Sequence, residues 1–306
     1  MIRHIAARLA LIPVILFGVI TLLFVIFKTI PGDEAALMAG ATATQAEIDA
    51  TRHQLGLDRP VLTQFTDRLL GLTHGDLGYS STFRGNPLPR ILERVPATLA
   101  LTACAIGLTI LVGIPAGAVA AALHDRWPDL AISSVVVAFL AVPNFFLGLM
   151  LIAAFSVELR WLPGFGFNGV LSLVMPSLAL SARLIAVIAR LTRGLMIEES
   201  RRNYVRTALA KGLSETRVLW KHVLRNALIP IITAIGLEAG YLLGGSVVVE
   251  RLFAWPGIGD LLLNAVGVRD YSLVQGITIL FVVGFLLINL LVEVLFVLAN
   301  PRLRDA

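Results

Sequence analysis

The chain has 306 residues, of which 57% are hydrophobic and only 15% are charged, and its formal net charge is +5. This composition excludes an ordinary soluble domain, because too few polar side chains remain to cover its surface. The single cysteine, Cys104, allows neither an internal disulfide nor a cysteine-based metal site. In a membrane protein, the excess of Lys and Arg indicates which loops stay in the cytoplasm rather than an affinity for nucleic acid.

Apolar segments long enough to cross a bilayer occur six times along the chain, and each crossing takes about 20 helical residues. The sequence therefore predicts an all-α, polytopic membrane protein. Prolines at positions 115, 143 and 176 lie inside the spans, which membrane helices tolerate when neighbours satisfy the freed carbonyls. The predicted spans are 9–27, 97–123, 130–157, 170–191, 227–249 and 273–298.

Basic residues set the expected orientation. Nine Lys and Arg residues lie between 190 and 225, whereas the loops 158–169 and 250–272 carry one and two. The positive-inside rule then places the 190–226 loop and both termini in the cytoplasm. The predicted organisation is a cytoplasmic N-terminus with the first helix (1–29), an external helical region (30–95), a core of five spans (96–299) and a cytoplasmic tail (300–306). A cleaved signal peptide is the alternative for the first span.

The polar region after the first span has helical signals. Thr44 and Glu47 have the spacing of a capping box, and Gly56 can end the helix that they begin. Pro60 suits the first turn of a second helix. Both helices are too short and too charged to span, so we expect them to pack on the outer face.

A basic cassette, "YVRTALAKGLSETRVLWKHVLRNALIP", separates the fourth span from the fifth. It predicts two short helices: the first ends at Lys211, Gly212 supplies a left-handed stop, and Ser214 caps the second. Tethering between spans argues against DNA binding, the usual use of a basic helix-turn-helix. Topology setting or contact with anionic lipid would explain the charge but not the turn. A docking helix for a cytoplasmic partner explains both.

Fragments along nearly the whole chain resemble the dipeptide/oligopeptide/nickel permease family of bacterial ABC importers. They include "PGDEA" (31–35), "LGLDRPVLTQF" (55–65), "RVPATLAL" (94–101), "WLPGFG" (161–166), "GGSVVVERLFAWPGIG" (244–259) and "NPRLR" (300–304), in that order. The resemblance implies a permease fold of the MetI-like type and an import role for dipeptides or oligopeptides. Nickel, glutathione and opine-like substrates are the alternatives within such families.

The resemblance also implies a location in the bacterial inner membrane, with region 30–95 in the periplasm. It implies partners as well: a second homologous permease, two ATP-hydrolysing subunits and a periplasmic binding protein. The cassette matches the family's coupling loop. Aligned on Gly212, the family's glutamate position is occupied by Arg206, and the nearest downstream proline is Pro230. Any ion pair that depends on that glutamate is therefore in question. The residues expected to lie in a groove of the ATPase are Arg206, Thr207, Ala208, Lys211, Gly212, Leu213 and Ser214.

Catalytic and nucleotide-binding motifs are missing from the sequence. There is no G-x-x-x-x-G-K-[ST], so ATP and Mg are expected on the partner subunits, and this chain is expected to carry no cofactor and no catalytic residue. The five histidines are scattered, which argues against a metal cluster. A secondary transporter would need inverted repeats that the sequence does not display, and an intramembrane enzyme would need a nucleophile–base pair.

Polar residues inside predicted spans are candidates for the substrate pathway, because an ionisable group at depth faces a cavity or a partner. Glu238 lies near the middle of the fifth span and Arg183 nearer the cytoplasmic end of the fourth. A structural ion pair between the two is the default interpretation, and a pathway role is the alternative. The candidate pathway residues are Asn144, Arg183, Glu238 and Tyr241.

Overall fold

The computed structural model describes residues 2–30, 32–40 and 42–299, so the predicted tail 300–306 lies outside it. Within these ranges the chain is helical, apart from connections and one isolated bridge between Ser80 and Gly85. The helices are α1 (Ile2–Thr29), α2 (Glu34–Ala39), α3 (Gln45–Gln54), α4 (Val61–Thr73), α5 (Leu88–Ala122), α6 (Trp127–Ala141), α7 (Asn144–Glu158), α8 (Val170–Ser200), α9 (Asn203–Ala210), α10 (Glu215–Leu252), α11 (Ile258–Gly267) and α12 (Tyr271–Ala299).

Five of the described helices are long and apolar enough to span a membrane, and the bent pair α6–α7 makes a sixth span if it is counted as one. This confirms the all-α, six-span fold, but the prediction of a single third helix was wrong. The pair is bent by 104°. Pro143 has no N–H to donate, and it holds Val142 in an extended conformation, with φ −86° and ψ 123°.

Pro115 and Pro176 leave their helices unbroken. Just before Pro115, α5 widens into a π-helical turn at Thr109–Gly113, which absorbs the missing hydrogen bond. Pro176 is the third residue of the α-helical part of α8, which begins at Val174, and an N–H there has no partner within that α-helix.

The helix α10 is longer than the sequence predicts. The second short helix of the cassette and the fifth span were expected as separate elements, but they form one helix, Glu215–Leu252. A π-helical turn at Leu219–Val223 joins the two parts, and Pro230 lies inside the helix without ending it. The cassette is therefore continuous with a membrane span.

The centre of the bundle is α8, whose most apolar stretch is 67% buried. It packs against α5, α6, α7 and α10. Close packing on α5 depends on Gly113 and Gly117, since a side chain at Gly117 would overlap the carbonyl of Ala189. On the other side, Gly236 and Gly240 of α10 receive Val292 and Phe285 of α12.

The bundle has two ends, which we call the α9 end and the α11 end after the short helix at each. Buried hydrogen bonds fix the α11 end. The Glu250 carboxylate is fully buried and accepts bonds from the Thr98 hydroxyl at 2.7 Å and from the Gly259 and Asp260 N–H groups at 2.7 and 3.2 Å. It therefore caps the start of α11 while tying α5 to α10.

The polar region after α1 packs at the α11 end, and that this end is the outer face stays a prediction. The capping box of Thr44 and Glu47 is confirmed, and Gly56, with φ +65°, follows the end of α3. The next helix, α4, lies against α1, with Phe65 in ring contact with Phe17 and Phe24. The loop before α5 is held by buried Asp270, which accepts hydrogen bonds from the loop's Ser80, Ser81 and Thr82.

Candidate coupling segment and translocation surface

Helix α9 has one face in the bundle and one face in solvent. Val205 is buried, and Tyr204 packs with it against the central hydrophobic core. The opposite face is polar and basic. Of the predicted docking residues, Arg206, Thr207, Lys211, Gly212 and Ser214 are exposed, whereas Ala208 and Leu213 are half-buried and contact the core.

The turn after α9 has the geometry that the sequence predicts. Gly212 adopts φ +83°, in the left-handed region. The N–H of Leu213 donates to the carbonyl of Ala208 at 3.3 Å, and the N–H of Gly212 donates to that of Leu209 at 2.9 Å. This pair of bonds is a Schellman motif, which satisfies the last carbonyls of the helix. No atom lies within 4 Å of a Cβ placed on Gly212, so the outer side of the turn is open.

The start of α10 presents a basic surface next to that turn. Ser214 is the N-cap residue, with extended backbone angles, although its hydroxyl makes no capping bond. Arg217, Lys221 and Arg225 are exposed at intervals of one helical turn, while Val218 is buried on the opposite side. Together with Arg206 and Lys211 on α9, these residues give the α9 end an exposed basic face.

Hydrogen bonds hold α9 against the end of α8. The Tyr204 hydroxyl donates to the Glu199 carboxylate at 2.9 Å, and Arg202 pairs with Glu198 at 3.1 Å and with Glu199 at 3.4 Å. Burial raises the pKa of the Tyr204 phenol above its ordinary value. The phenol therefore stays a neutral donor, and α9 is connected to α8 by side chains as well as by the chain.

A buried ion pair joins the start of α6 to α8 at the same end. Arg193 donates to both oxygens of Asp129, from Nε at 2.6 Å and from Nη2 at 2.7 Å, and the Asp129 side chain is only 6% exposed. The Nδ1 of His124 lies 3.1 Å from Arg193 Nη2. Ligand atoms of His124, Asp125 and Asp129 approach one another within 4.8 Å, but the guanidinium already occupies both Asp129 oxygens, so this cluster is an ion pair rather than a metal site.

The two candidate ionisable residues of the pathway contact each other between α8 and α10. Arg183 Nη1 lies 3.5 Å from Glu238 Oε2, and the side chains are 56% and 25% exposed. Arg183 is 13 residues from the start of α8, about 20 Å along the helix. A contact this long and this exposed contributes little to stability. Charges at such a depth indicate that this face meets water or protein rather than lipid tails.

The bend between α6 and α7 opens a cavity beside that pair. It has a volume of about 370 Å³, and it is lined by Asn144 and Arg183 together with Gly245 and Val248 of α10. Asn144 begins α7 directly after the bend. The predicted pathway residues Asn144 and Arg183 therefore share one cavity, and Glu238 contacts the second of them.

Tyr241 lies one turn beyond Glu238, on a face of α10 that no other described part of the chain covers. Its side chain is 68% exposed and meets the edge of Phe285 of α12. Exposed positions continue along this face. They are Leu237, Tyr241, Gly244, Gly245 and Val248.

Comparison with protein families identifies the chain. Residues 113–305 match the model described as binding-protein-dependent transport system inner membrane component, and residues 1–102 match the N-terminal model of the same description. The chain belongs to this family. It is a permease subunit of an ABC importer, an inner membrane component with apolar helices, which replaces the alternative of a secondary transporter.

Relatives of the permease match over their full length. It is 44% identical to the glutathione transport system permease protein GsiC of Escherichia coli O6:H1 and 43% identical to those of E. coli K12 and Shigella dysenteriae, over 99% of each chain. Two crystal forms of the MetNI methionine ABC transporter share its fold. Their TM-scores are 0.58 and 0.61 at 19% and 18% identity, and the likeness covers 69% and 70% of this permease and 96% and 98% of the MetNI chain.

Two polar clusters of the permease were missed by reasoning from sequence. Arg193 was counted only as a basic loop residue, and Asp129 was not considered. Asp129 lies at the start of an apolar run, next to Trp127 and Pro128, and a carboxylate in that position could have indicated a buried ion pair. Glu250 gave a similar signal at the end of the fifth span. The structure places the predicted coupling residues in one segment and brings Asn144, Arg183 and Glu238 together, whereas Tyr241 contacts Phe285. The roles of both sets in coupling and transport stay predictions.

Proposed function

We propose that this permease forms half of a translocation pathway for small peptides, with glutathione as the first candidate substrate. The observation that carries the proposal is the 44% identity to a glutathione transport permease over 99% of both chains. Dipeptides and oligopeptides belong to the same chemical class. No feature of the described residues favours nickel.

The chemistry of the uncovered face supports a peptide substrate. Glutathione carries free carboxylates and a free amine, so its passage needs a surface that offers both charges without binding either tightly. Arg183 and Glu238 provide one charge of each sign, in a contact of 3.5 Å that leaves Arg183 56% exposed. The neighbouring cavity adds the Asn144 amide. We therefore favour the pathway role of this pair over the structural role.

The assembly is a second homologous permease on the uncovered face of α10, two nucleotide-binding subunits at the α9 end and a periplasmic binding protein at the α11 end. ATP and Mg belong to the ATPase subunits, and this chain carries no cofactor and no covalent chemistry. The exposed Schellman turn docks in a groove of an ATPase subunit, with Arg206, Thr207 and Lys211 on its surface. The half-buried Ala208 and Leu213 hold the turn to the core.

Transport assays test the substrate. The permease is co-expressed with its neighbouring ATPase and binding-protein genes, purified in mild detergent and reconstituted into proteoliposomes. We expect a P-loop ATPase to co-purify and labelled glutathione to be taken up with ATP. If unlabelled dialanine competes as strongly as unlabelled glutathione, dipeptides replace glutathione as the proposed substrate. If neither compound is taken up, the proposal of a peptide substrate is rejected.

A substitution in the turn tests coupling in the same system. Gly212→Pro removes a backbone conformation that proline cannot adopt, since its φ is fixed near −65°. We expect the variant to insert normally but to lose uptake and ATPase association. Wild-type uptake with normal ATPase association would reject the docking role.

Thiol accessibility tests the orientation, with both termini expected in the cytoplasm. Cysteines are placed at Ser214, at the α9 end, and at Val268, which is exposed just after α11, once Cys104 is removed. In intact spheroplasts a membrane-impermeant thiol reagent should label position 268 and spare position 214. The reverse labelling would invert the topology.

A further inference from the structure

A second cavity lies at the α11 end, away from the bent pair and the uncovered face of α10. Its volume is about 280 Å³, at the lower end of the ~300–1,000 Å³ range of small-molecule sites. Its walls come from the end of α1, the turn before α4, α4 itself, the 76–79 loop and the start of α12. The cavity is therefore formed between the N-terminal region and the permease core.

An unsatisfied donor lines this cavity. Gln275 is only 3% exposed, and its Nε2 has no hydrogen-bond partner among the described residues. Burying an amide N–H without a partner is costly, so such groups are normally bonded to protein, water or ligand. Gln275 thus has an N–H donor that an acceptor atom in the cavity would satisfy.

Positive charge lines the same cavity in excess. Lys28, Arg59 and Arg68 stand against two acids, Asp67 and Asp76. Each acid is already engaged: Asp67 pairs with Arg59 at 2.7 Å, and Asp76 accepts from the backbone N–H of Gly78 at 2.8 Å.

Lys28 in particular has no carboxylate partner within the described part of the chain. Its Nζ donates to the neutral amide oxygen of Gln64 at 2.7 Å and lies 5.9 Å from the centre of the Phe24 ring. Its positive charge is therefore not neutralised by a described protein group.

Aromatic rings lie beside the polar lining of this cavity, at the end of a span. Phe27 stacks on Tyr271, with ring centres 4.9 Å apart, and both rings line the cavity. The apolar stretch of α1, Ala10–Thr29, is only 6% buried, so this helix faces lipid, and Lys28 lies in its last turn. Lysine and tyrosine at the end of a span are typical of the membrane–water interface. The cavity therefore lies where a membrane headgroup can enter it.

We propose that this cavity binds one phosphate ester, with Lys28 and Gln275 donating to its oxygens. A phosphate suits the site because it offers several acceptor oxygens and one negative charge to donors that approach from different helices. Its source is the phosphodiester headgroup of an anionic lipid or a soluble phosphate ester. Bound there, it joins α1 to α12.

Native mass spectrometry of the full importer complex tests the proposal. The complex is taken from nanodiscs of phosphatidylcholine that contain phosphatidylglycerol, with wild-type, Lys28→Gln and Gln275→Leu permeases. We expect retained phosphatidylglycerol to fall about ten-fold in each variant, the loss expected for one charge-assisted hydrogen bond. Arg90→Gln is the matched control, because Arg90 is exposed at the same end, pairs with Glu93 and lies outside the cavity. It should retain phosphatidylglycerol as the wild type does.

Two further measurements distinguish the sources and avoid dependence on variants that fold poorly. In the first, soluble glycerol phosphate is added to the wild-type complex and its melting temperature is measured. If glycerol phosphate stabilises the wild type but not Lys28→Gln, and lipid retention is the same in both, the site binds a soluble ester. Photoactivatable phosphatidylglycerol on the wild type should crosslink to residues 24–28 and 271–275. Equal lipid retention in all variants, with no response to glycerol phosphate and crosslinks elsewhere, would overturn the proposal.

Discussion

Removal of the Arg193 guanidinium should destabilise the permease more than any change of an exposed charge at the α9 end. Arg193→Met deletes both hydrogen bonds to Asp129, whose side chain is 6% exposed. The carboxylate would keep as donors the N–H of Asp125 at 3.1 Å and the Ser133 hydroxyl at 3.3 Å, with the Nδ1 of His124 also 3.3 Å away. It would therefore remain a buried charge without a full counter-charge.

The expected loss follows from the burial of Asp129. Breaking a buried ion pair costs about 3–5 kcal/mol, and the two remaining donors place this case near the lower limit, at about 3 kcal/mol. With the unfolding entropy of globular proteins, about 2.1 cal/mol/K per residue, this lowers the melting temperature by about 5 °C. The double variant Asp129→Leu/Arg193→Met should recover most of that loss, because neither charge is left unpaired.

Thermal unfolding of the purified complex in detergent measures these differences. The control is Asp125→Asn, which removes one charge, of the opposite sign, from a neighbouring side chain that is 86% exposed. Asp125 has φ +61°, a conformation that asparagine tolerates, so its melting temperature should change by less than about 1 °C. Equal shifts in Arg193→Met and Asp125→Asn, or a double variant as unstable as the sum of the singles, would refute the buried-pair reasoning.

Three further substitutions have expected outcomes. Gly212→Ala should destabilise the permease by about 1 kcal/mol, because the backbone φ of Gly212 is +83°. Gly194→Ala, at another open position but inside a helix, should stabilise it by a similar amount. Melting temperatures that shift in the same direction in both variants would contradict this. Glu238→Gln should change the free energy of unfolding by less than about 1 kcal/mol, since the contact of Glu238 with Arg183 is long and exposed. The same variant should lower glutathione uptake, and unchanged uptake would show that Glu238 is not a pathway residue. Glu250→Leu should cost about 2 kcal/mol, because the buried N–H groups of Gly259 and Asp260 would lose their acceptor, and an unchanged melting temperature would disprove this.

Apolar length and helix signals predicted the spans and the turn of the coupling segment. These features depend on residues that are close in sequence: the capping box at Thr44 and Glu47, or the left-handed conformation at Gly212, is decided within one helical turn. The continuity of α10 was not predicted, because a basic stripe and a following apolar span have no local signal that separates or joins them. The bend at Pro143 was missed because membrane helices tolerate proline in some contexts and break at it in others.

Contacts between distant residues explain what the sequence could not provide. Thr98 and Glu250 are 152 residues apart, and Asp129 and Arg193 are 64 apart. Each residue alone is a polar group near the end of an apolar run, with many conceivable partners. Only the packing of α5, α6 and α10 around α8 selects one.

Because α10 is continuous, a movement at one of its ends would displace the other end. Its 38 residues extend about 57 Å, from the turn at the α9 end, past Glu238, to the buried carboxylate of Glu250. A rigid tilt of only about 5° about either end would displace the other by about 5 Å, close to one helical turn. Only residues 211–214 separate α9 from α10, so this short turn can take up little displacement by changing its own conformation. A movement of that turn would be delivered to the far side of the bundle through a single helix, with the Leu219–Val223 π-helical turn at its base as the one irregular step.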